Sequence, residues 1–86
     1  MTVQSTASFA RDFLHLPEDI QRKVETAIRQ LVANPRHPSL RVKKMKGVEN
    51  RWEARITRSY RFTFSWEGDE IILRRLGTHD ILLREG

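Results

Sequence analysis

Residues 60–66 read Tyr60-Arg61-Phe62-Thr63-Phe64-Ser65-Trp66, with an aromatic side chain at every even position. The odd positions are cationic or hydroxylic. Because a β-strand sends alternate side chains to opposite faces, this stretch predicts a strand with one apolar and one polar face. We expect the apolar face to build the core and the polar face to carry Arg61 into solvent.

Three further stretches around this strand also have strand-like sequences. They cover residues 40–46, 51–57 and 70–76, and short turn-like segments containing Gly, Asn, Asp or Ser separate them. Connections this short imply hairpins, so the second half of the chain predicts an antiparallel meander. By strand parity, the residues expected to face the core with the aromatic side chains are Trp52, Ala54 and Ile56.

The first half of the chain predicts one strand and two helices. Weak alternation over 2–8 suggests a short first strand, and 9–16 has one or two turns of helical spacing. The second helix begins near Pro17, has acidic residues in its first turn, and stops at Asn34-Pro35. The predicted fold is therefore α+β in the order β-α-α-β-β-β-β, with two N-terminal helices packed on a mainly antiparallel, twisted sheet of four to five strands. We predict that residues 1–86 form a single domain.

The positive charge of the chain is concentrated in one quarter of it. The 86 residues carry a net charge of +5, but residues 41–61 hold eight Lys or Arg against two Glu, a local excess of six. Such clustering favours a polyanionic partner, although a solvated basic strand face would look similar. The absence of cysteine, signal peptide and apolar span favours a cytoplasmic protein with no membrane partner.

Two arginines and a histidine are candidates for handling a phosphodiester. Arg61 shares its strand face with Arg55, and the run ending at Leu73 leads through Arg75 to Gly77-Thr78-His79. Arginine can bind phosphate oxygens with two N–H groups, and a histidine can transfer protons near neutral pH. Tyr60 fits either the core or a base-stacking role. No histidine pair has ligand spacing, so we predict neither a metal nor another cofactor.

Three local signatures resemble the RelE/ParE superfamily of toxins from toxin–antitoxin pairs. These are Lys44-Met45-Lys46-Gly47, the run from Trp52-Glu53-Ala54-Arg55-Ile56 into Ser59-Tyr60-Arg61-Phe62-Thr63-Phe64, and Arg75-Leu76-Gly77-Thr78-His79. The last is similar to the YafQ-type branch, in which a Gly-Thr-His near the C-terminus supplies a catalytic histidine. The likeness covers nearly the whole chain.

The resemblance implies a metal-independent endoribonuclease that enters the ribosomal A site and cuts mRNA by attack of a 2′-hydroxyl on the adjacent phosphate. It implies that Arg61 contacts the scissile phosphate, that Arg75 stabilises it and that His79 is the acid or base. RNA-binding roles would fall to Lys43, Lys44, Lys46, Arg55 and Tyr60. Many members have a base-stacking aromatic residue after the histidine, where this chain has Leu82 and Leu83.

The partners implied are a cognate antitoxin, mRNA in the A site and ribosomal RNA. An acidic, partly disordered antitoxin segment would complement the basic groove expected around Arg55 and Arg61. Two other functions remain open from the sequence. One is the ParE-type role of a non-enzymatic inhibitor of DNA gyrase, and the other is an RNA-binding module without catalysis.

Overall fold

The computed structural model describes residues 1–78, which form two helices on one five-stranded sheet. The strands are β1 (Thr2–Ser5), β2 (Lys43–Lys44), β3 (Trp52–Arg55), β4 (Tyr60–Glu67) and β5 (Glu70–Thr78), and the sheet order is β1-β5-β4-β3-β2. β1 pairs with β5 in parallel, whereas the other neighbours are antiparallel. The predicted α+β fold is confirmed.

Residues at the N-terminus of each helix stabilise its first turn. The side-chain oxygen of Thr6 accepts a hydrogen bond from the Phe9 N–H and caps α1 (Ala7–Leu14). Helix α2 (Glu18–Ala33) carries acidic residues in its first turn, where the helix dipole favours them. Its apolar residues recur at helical spacing, so one face turns toward the sheet. Neither helix is long and apolar enough to cross a membrane, within the residues described.

The apolar faces of β3 and β4 form the centre of the core, as the alternation predicts. Trp52 lies opposite Phe64 and Ala54 opposite Phe62, so these side chains share one face. Both phenylalanines of β4 are completely buried. The Phe62 ring meets the ring of Phe9 edge to face, with 6.2 Å between centroids, and this contact joins α1 to the sheet.

The segment 40–46 is less regular than predicted. A short 3₁₀ turn, Pro38–Leu40, precedes a strand that has only two residues, Lys43–Lys44. Between them Arg41 adopts the left-handed conformation, with φ 46° and ψ 48°. A left-handed residue cannot continue a strand, so the prediction of a seven-residue strand was wrong.

Strand β1 covers the first part of the outer edge of β5, and helix α1 with its cap covers the part that follows. β1 pairs with β5 only as far as Leu73, and the next backbone groups of β5 bond to α1 and its cap instead. The Thr6 hydroxyl donates to the Arg74 carbonyl, and the Asp12 carboxylate accepts from the Leu76 N–H at 3.0 Å. The polar groups of this edge are thereby satisfied without another strand.

Asn50 links the loop before β3 to the end of β4. Its side-chain nitrogen donates to the Trp66 carbonyl at 2.7 Å, and its side-chain oxygen accepts from the Trp66 N–H at 3.1 Å. The amide thus imitates a strand residue pairing with β4. Asn50 also has φ 50°, a left-handed conformation that asparagine tolerates better than most residues.

We predict that Asn50→Ala lowers the free energy of unfolding by about 2–4 kcal/mol, from two lost hydrogen bonds and left-handed strain. Asn50→Gly should cost less than Asn50→Ala, because glycine removes the hydrogen bonds but adopts positive φ freely. Urea unfolding followed by far-UV circular dichroism measures both. Equal stability of wild type and Asn50→Ala would contradict this role of Asn50.

Candidate functional site

Arg61 is held against the sheet rather than extended into solvent. Its side chain is 20% exposed, and its Nε lies 3.3 Å from the Glu53 Oε1. Its Nη1 donates to the carbonyls of Thr57, Arg58 and Tyr60, most closely to Thr57 at 2.9 Å. The expectation of a solvent-directed Arg61 was therefore wrong, because a carboxylate on β3 and the carbonyls of the β3–β4 turn bind its guanidinium.

Glu53 supplies the carboxylate on this face of the sheet. The residue is 4% exposed and lies opposite Thr63 of β4 and Lys43 of β2. The Lys43 Nζ approaches its Oε1 at 3.9 Å, the same oxygen that Arg61 contacts. A carboxylate this buried requires cationic or hydrogen-bonding partners, and here the basic strands provide them.

The turn between β3 and β4 presents its carbonyls to the arginines. The Thr57 hydroxyl accepts from the N–H groups of Ser59 and Tyr60, which fixes the turn. The Thr57 carbonyl accepts from Arg61 and also from the Arg55 Nε at 3.3 Å. One backbone carbonyl therefore holds two guanidinium groups beside each other.

Arg55 and Arg61 lie directly opposite one another in the register and belong to a larger arginine cluster. Desolvation, followed by repulsion from Arg41, Arg61 and Arg58, lowers the pKa of Arg55 from its ordinary value. Four like charges this close attract anions. The arginine cluster, defined as Arg41, Arg55, Arg58 and Arg61, is consequently a candidate anion-binding surface.

Arg75 is bound to a carboxylate of its own. Its Nε donates to Asp12 Oδ2 at 2.9 Å and its Nη2 approaches Asp12 Oδ1 at 3.4 Å. In the register Arg75 lies opposite Thr63, two residues along β4 from Arg61. The two arginines thus stand on neighbouring strands, but Arg75 reaches toward α1 and Arg61 toward β3.

The remaining predicted site residues that the structure describes lie on the same sheet or in the loop after β2. Lys43 and Lys44 are exposed on β2, Lys46 is exposed in the following loop, and Tyr60 is half-buried at the start of β4. His79 lies outside the described residues. Among residues 1–78, no group of His, Cys, Asp or Glu is arranged to hold a metal ion.

Three residues that organise this surface were not among the sequence-predicted candidates. Glu53, Asp12 and Thr57 each hold an arginine through a carboxylate or carbonyl. A signal was available for Glu53, since it is an acidic residue within the basic run at the parity of Arg55 and Arg61. For Asp12 there was none, because its partner is 63 residues away in the sequence.

Solved structures with this fold come from toxin–antitoxin pairs. The RelB–RelE antitoxin–toxin complex from Methanococcus jannaschii contains a chain with 25% identity and a TM-score of 0.74, covering 94% of this chain and 95% of that one. The YoeB/ParE toxin from Agrobacterium tumefaciens has 22% identity and a TM-score of 0.76, over 92% of this chain and 99% of that one. YafQ from E. coli has 13% identity and a TM-score of 0.79, over 93% and 94%. The sequence matches no protein-family model, and no curated protein gives a significant match.

These similarities show that the chain has the fold of small toxins from toxin–antitoxin pairs. The shared fold agrees with the resemblance of the sequence motifs to the RelE/ParE superfamily.

We predict an energetic coupling between Glu53 and Arg61. Arg61→Met should lower the free energy of unfolding by about 2–3 kcal/mol, because it removes a cation 3.3 Å from a buried carboxylate. The double variant with Arg61→Met and Glu53→Gln should lose less free energy of unfolding than the sum of the losses of the two single variants. The expected difference is about 1–2 kcal/mol. Urea unfolding of the three variants and the wild type gives this coupling.

The exposed pair Glu18–Arg22, at 3.1 Å on α2, is the matched control. The same substitutions there should show a coupling below about 0.5 kcal/mol. Equal coupling in the two pairs would mean that the burial of Glu53 has no energetic consequence.

Proposed function

We propose that the chain is the toxin of a type II toxin–antitoxin system and acts as a metal-independent, ribosome-dependent mRNA endonuclease. The observation that carries the proposal is the fixed guanidinium of Arg61 within the arginine cluster. Its Nε and Nη1 are committed to Glu53 and to the turn carbonyls, whereas its Nη2 has no hydrogen-bond partner among residues 1–78. A donor held rigidly with one N–H group available suits a charge that develops on a phosphate.

The reaction needs few groups from the protein. The 2′-oxygen of a ribose attacks the adjacent phosphorus, the bond to the 5′-oxygen breaks, and a 2′,3′-cyclic phosphate and a 5′-hydroxyl result. Arg61 would stabilise the negative charge on the phosphate oxygens during attack. His79, through its likeness to the YafQ-type histidine, would donate a proton to the leaving 5′-oxygen or take one from the 2′-hydroxyl.

Glu53 is poorly suited to be the general base. It is almost fully buried, and its Oε1 contacts Arg61 and Lys43, so its contribution is to hold Arg61 in place. Arg75, bound to Asp12, would act as a fixed second charge near the phosphate. The RNA strand would lie over Lys43, Lys44, Lys46, Arg55 and Tyr60.

A cognate antitoxin is the second partner proposed. Several solved structures with this fold are complexes, including DinJ–YafQ from E. coli and YoeB–YefM from Staphylococcus aureus. An antitoxin with an acidic segment would neutralise the arginine cluster and block access of RNA to it.

We predict that Arg61→Lys lowers mRNA cleavage on translating ribosomes by about 10²–10³-fold, the usual effect of removing one positioned electrostatic donor. Lysine keeps a cation near Glu53, so the fold is retained better than with alanine, but it cannot reproduce the rigid fork. Primer extension on a defined transcript measures the cleavage. Arg29→Lys, at an exposed position of α2, is the control and should cleave normally.

We predict that His79→Ala lowers cleavage by about 10²–10⁴-fold and flattens the pH–rate profile near neutral pH, because proton transfer by an imidazole is lost. Cleavage rates from pH 5.5 to 8.5 test this. If the variant stays fully toxic and DNA damage through gyrase appears, the endonuclease proposal is wrong and the ParE-type function replaces it.

A further inference from the structure

A second basic and aromatic surface lies next to the arginine cluster and shares Arg41 with it. It is a cavity of about 510 Å³ between the segment that follows α2 and the residues Trp52 and Trp66. Both tryptophans of the chain line it, and both are half-buried. Its size falls in the range of pockets that hold small molecules or single nucleotides.

The ionisable side chains that line this cavity are all basic in type. Arg36, His37 and Arg41 line it together with two prolines and a valine, and no carboxylate does. Within residues 1–78, neither the Arg36 nor the Arg41 guanidinium makes a hydrogen bond or ion pair. Flat aromatic rings beside unpaired guanidinium groups can stack a base and bind its phosphate.

His37 offers a hydrogen-bond donor of fixed identity. Its Nδ1 accepts from the Ser39 backbone N–H at 3.2 Å and lies 2.7 Å from the Ser39 hydroxyl. Since a backbone N–H can only donate, Nδ1 carries no proton, and in the neutral ring the proton is on Nε2. The Nε2–H is then a donor for a base carbonyl or a phosphate oxygen.

The backbone of Arg41 is in an unfavourable conformation at this cavity. Left-handed φ and ψ at a non-glycine residue cost free energy and are concentrated at ligand-binding sites. Arg41 precedes the edge strand β2, and it is close enough to Arg55 to contribute to the lowered pKa of that residue. The cavity and the arginine cluster therefore share Arg41 and form one continuous basic path around the sheet edge.

We propose that this cavity binds one unpaired nucleotide of an RNA strand, with the base against Trp52 or Trp66 and the phosphate on Arg36 and Arg41. RNA is favoured over an acidic peptide because the cavity combines aromatic walls with phosphate-binding cations. The site shares its ligand class with the proposed function but does not depend on catalysis by Arg61.

Intrinsic fluorescence tests this proposal directly, because both tryptophans of the chain line the cavity. The full chain is titrated with a 2′-O-methylated RNA heptamer, which cannot be cleaved, at several salt concentrations. We expect quenching on binding, with part of it retained in each of Trp52→Phe and Trp66→Phe. Adenosine monophosphate alone should bind far more weakly than the heptamer, which separates an RNA strand from a free nucleotide. Tighter binding of the monophosphate would overturn the RNA assignment.

Charge variants separate the cavity from the rest of the basic surface. Arg36→Gln should weaken heptamer binding and lower the log–log salt slope by about 1, as for one lost phosphate contact. Arg41→Asn should also weaken heptamer binding and lower the salt slope. Asparagine is chosen because it tolerates the left-handed backbone at this position. Arg29→Gln removes an equal charge from the exposed face of α2 and should change neither quantity. A cooperative urea-unfolding transition for each variant would show that the variant is folded.

Failure of this proposal can be told apart from failure of the endonuclease proposal. The cavity proposal is overturned if labelled heptamer binds, by anisotropy, without quenching tryptophan, or if Arg36→Gln binds like wild type. It is also overturned if an acidic peptide of equal charge quenches as strongly, because the cavity would then bind protein. Quenching without any cleavage on ribosomes would contradict only the endonuclease proposal.

Discussion

The basic face of the sheet depends on the buried carboxylate of Glu53. Residues 41–61 carry eight cationic side chains, and Glu53 is the carboxylate that β3 places among them. Burial of a charge is costly unless it is paired, and the pairing with Arg61 and Lys43 fixes where those cations point. What the pair contributes is orientation, since a free arginine would sample many rotamers before meeting a phosphate.

The two arginines suggested as a catalytic pair are anchored by different means. Arg61 is held by a carboxylate on its own sheet and by turn carbonyls, so its position follows from the β3–β4 hairpin. Arg75 is held by Asp12 of α1, so its position depends on how that helix seats on the edge of β5. Motion of α1 would therefore shift Arg75 relative to Arg61, and hairpin geometry alone does not fix their separation.

Period-two alternation in the sequence predicted correctly which side chains of β3 and β4 face the core. The prediction was wrong where one extra residue in a strand breaks this alternation. The facing of Trp52 and Phe64 follows from alternation on two paired strands. The pairing of β4 with β5 shifts register between Thr63 and Phe64, so Leu73 and Leu76 both reach the core although they are three positions apart. No parity rule anticipates this bulge. The burial of Thr63 and Ser65 was equally hidden, because alternating polar residues normally indicate a solvated face.

Arg41 shows why the cavity beside Trp52 and Trp66 could not be found in the sequence. The strand-like residues 40–46 indicated a continuous strand. The left-handed turn at Arg41 instead brings the loop that follows α2 over Trp52 and Trp66. By parity, the sequence predicted that Trp52 would face the core. In the structure Trp52 and Trp66 are half-buried, and both line the cavity beside this loop. The cavity depends on the backbone conformation of one residue, Arg41. Sequence periodicity does not indicate such a conformation, so only the folded structure shows which side chains the cavity brings together.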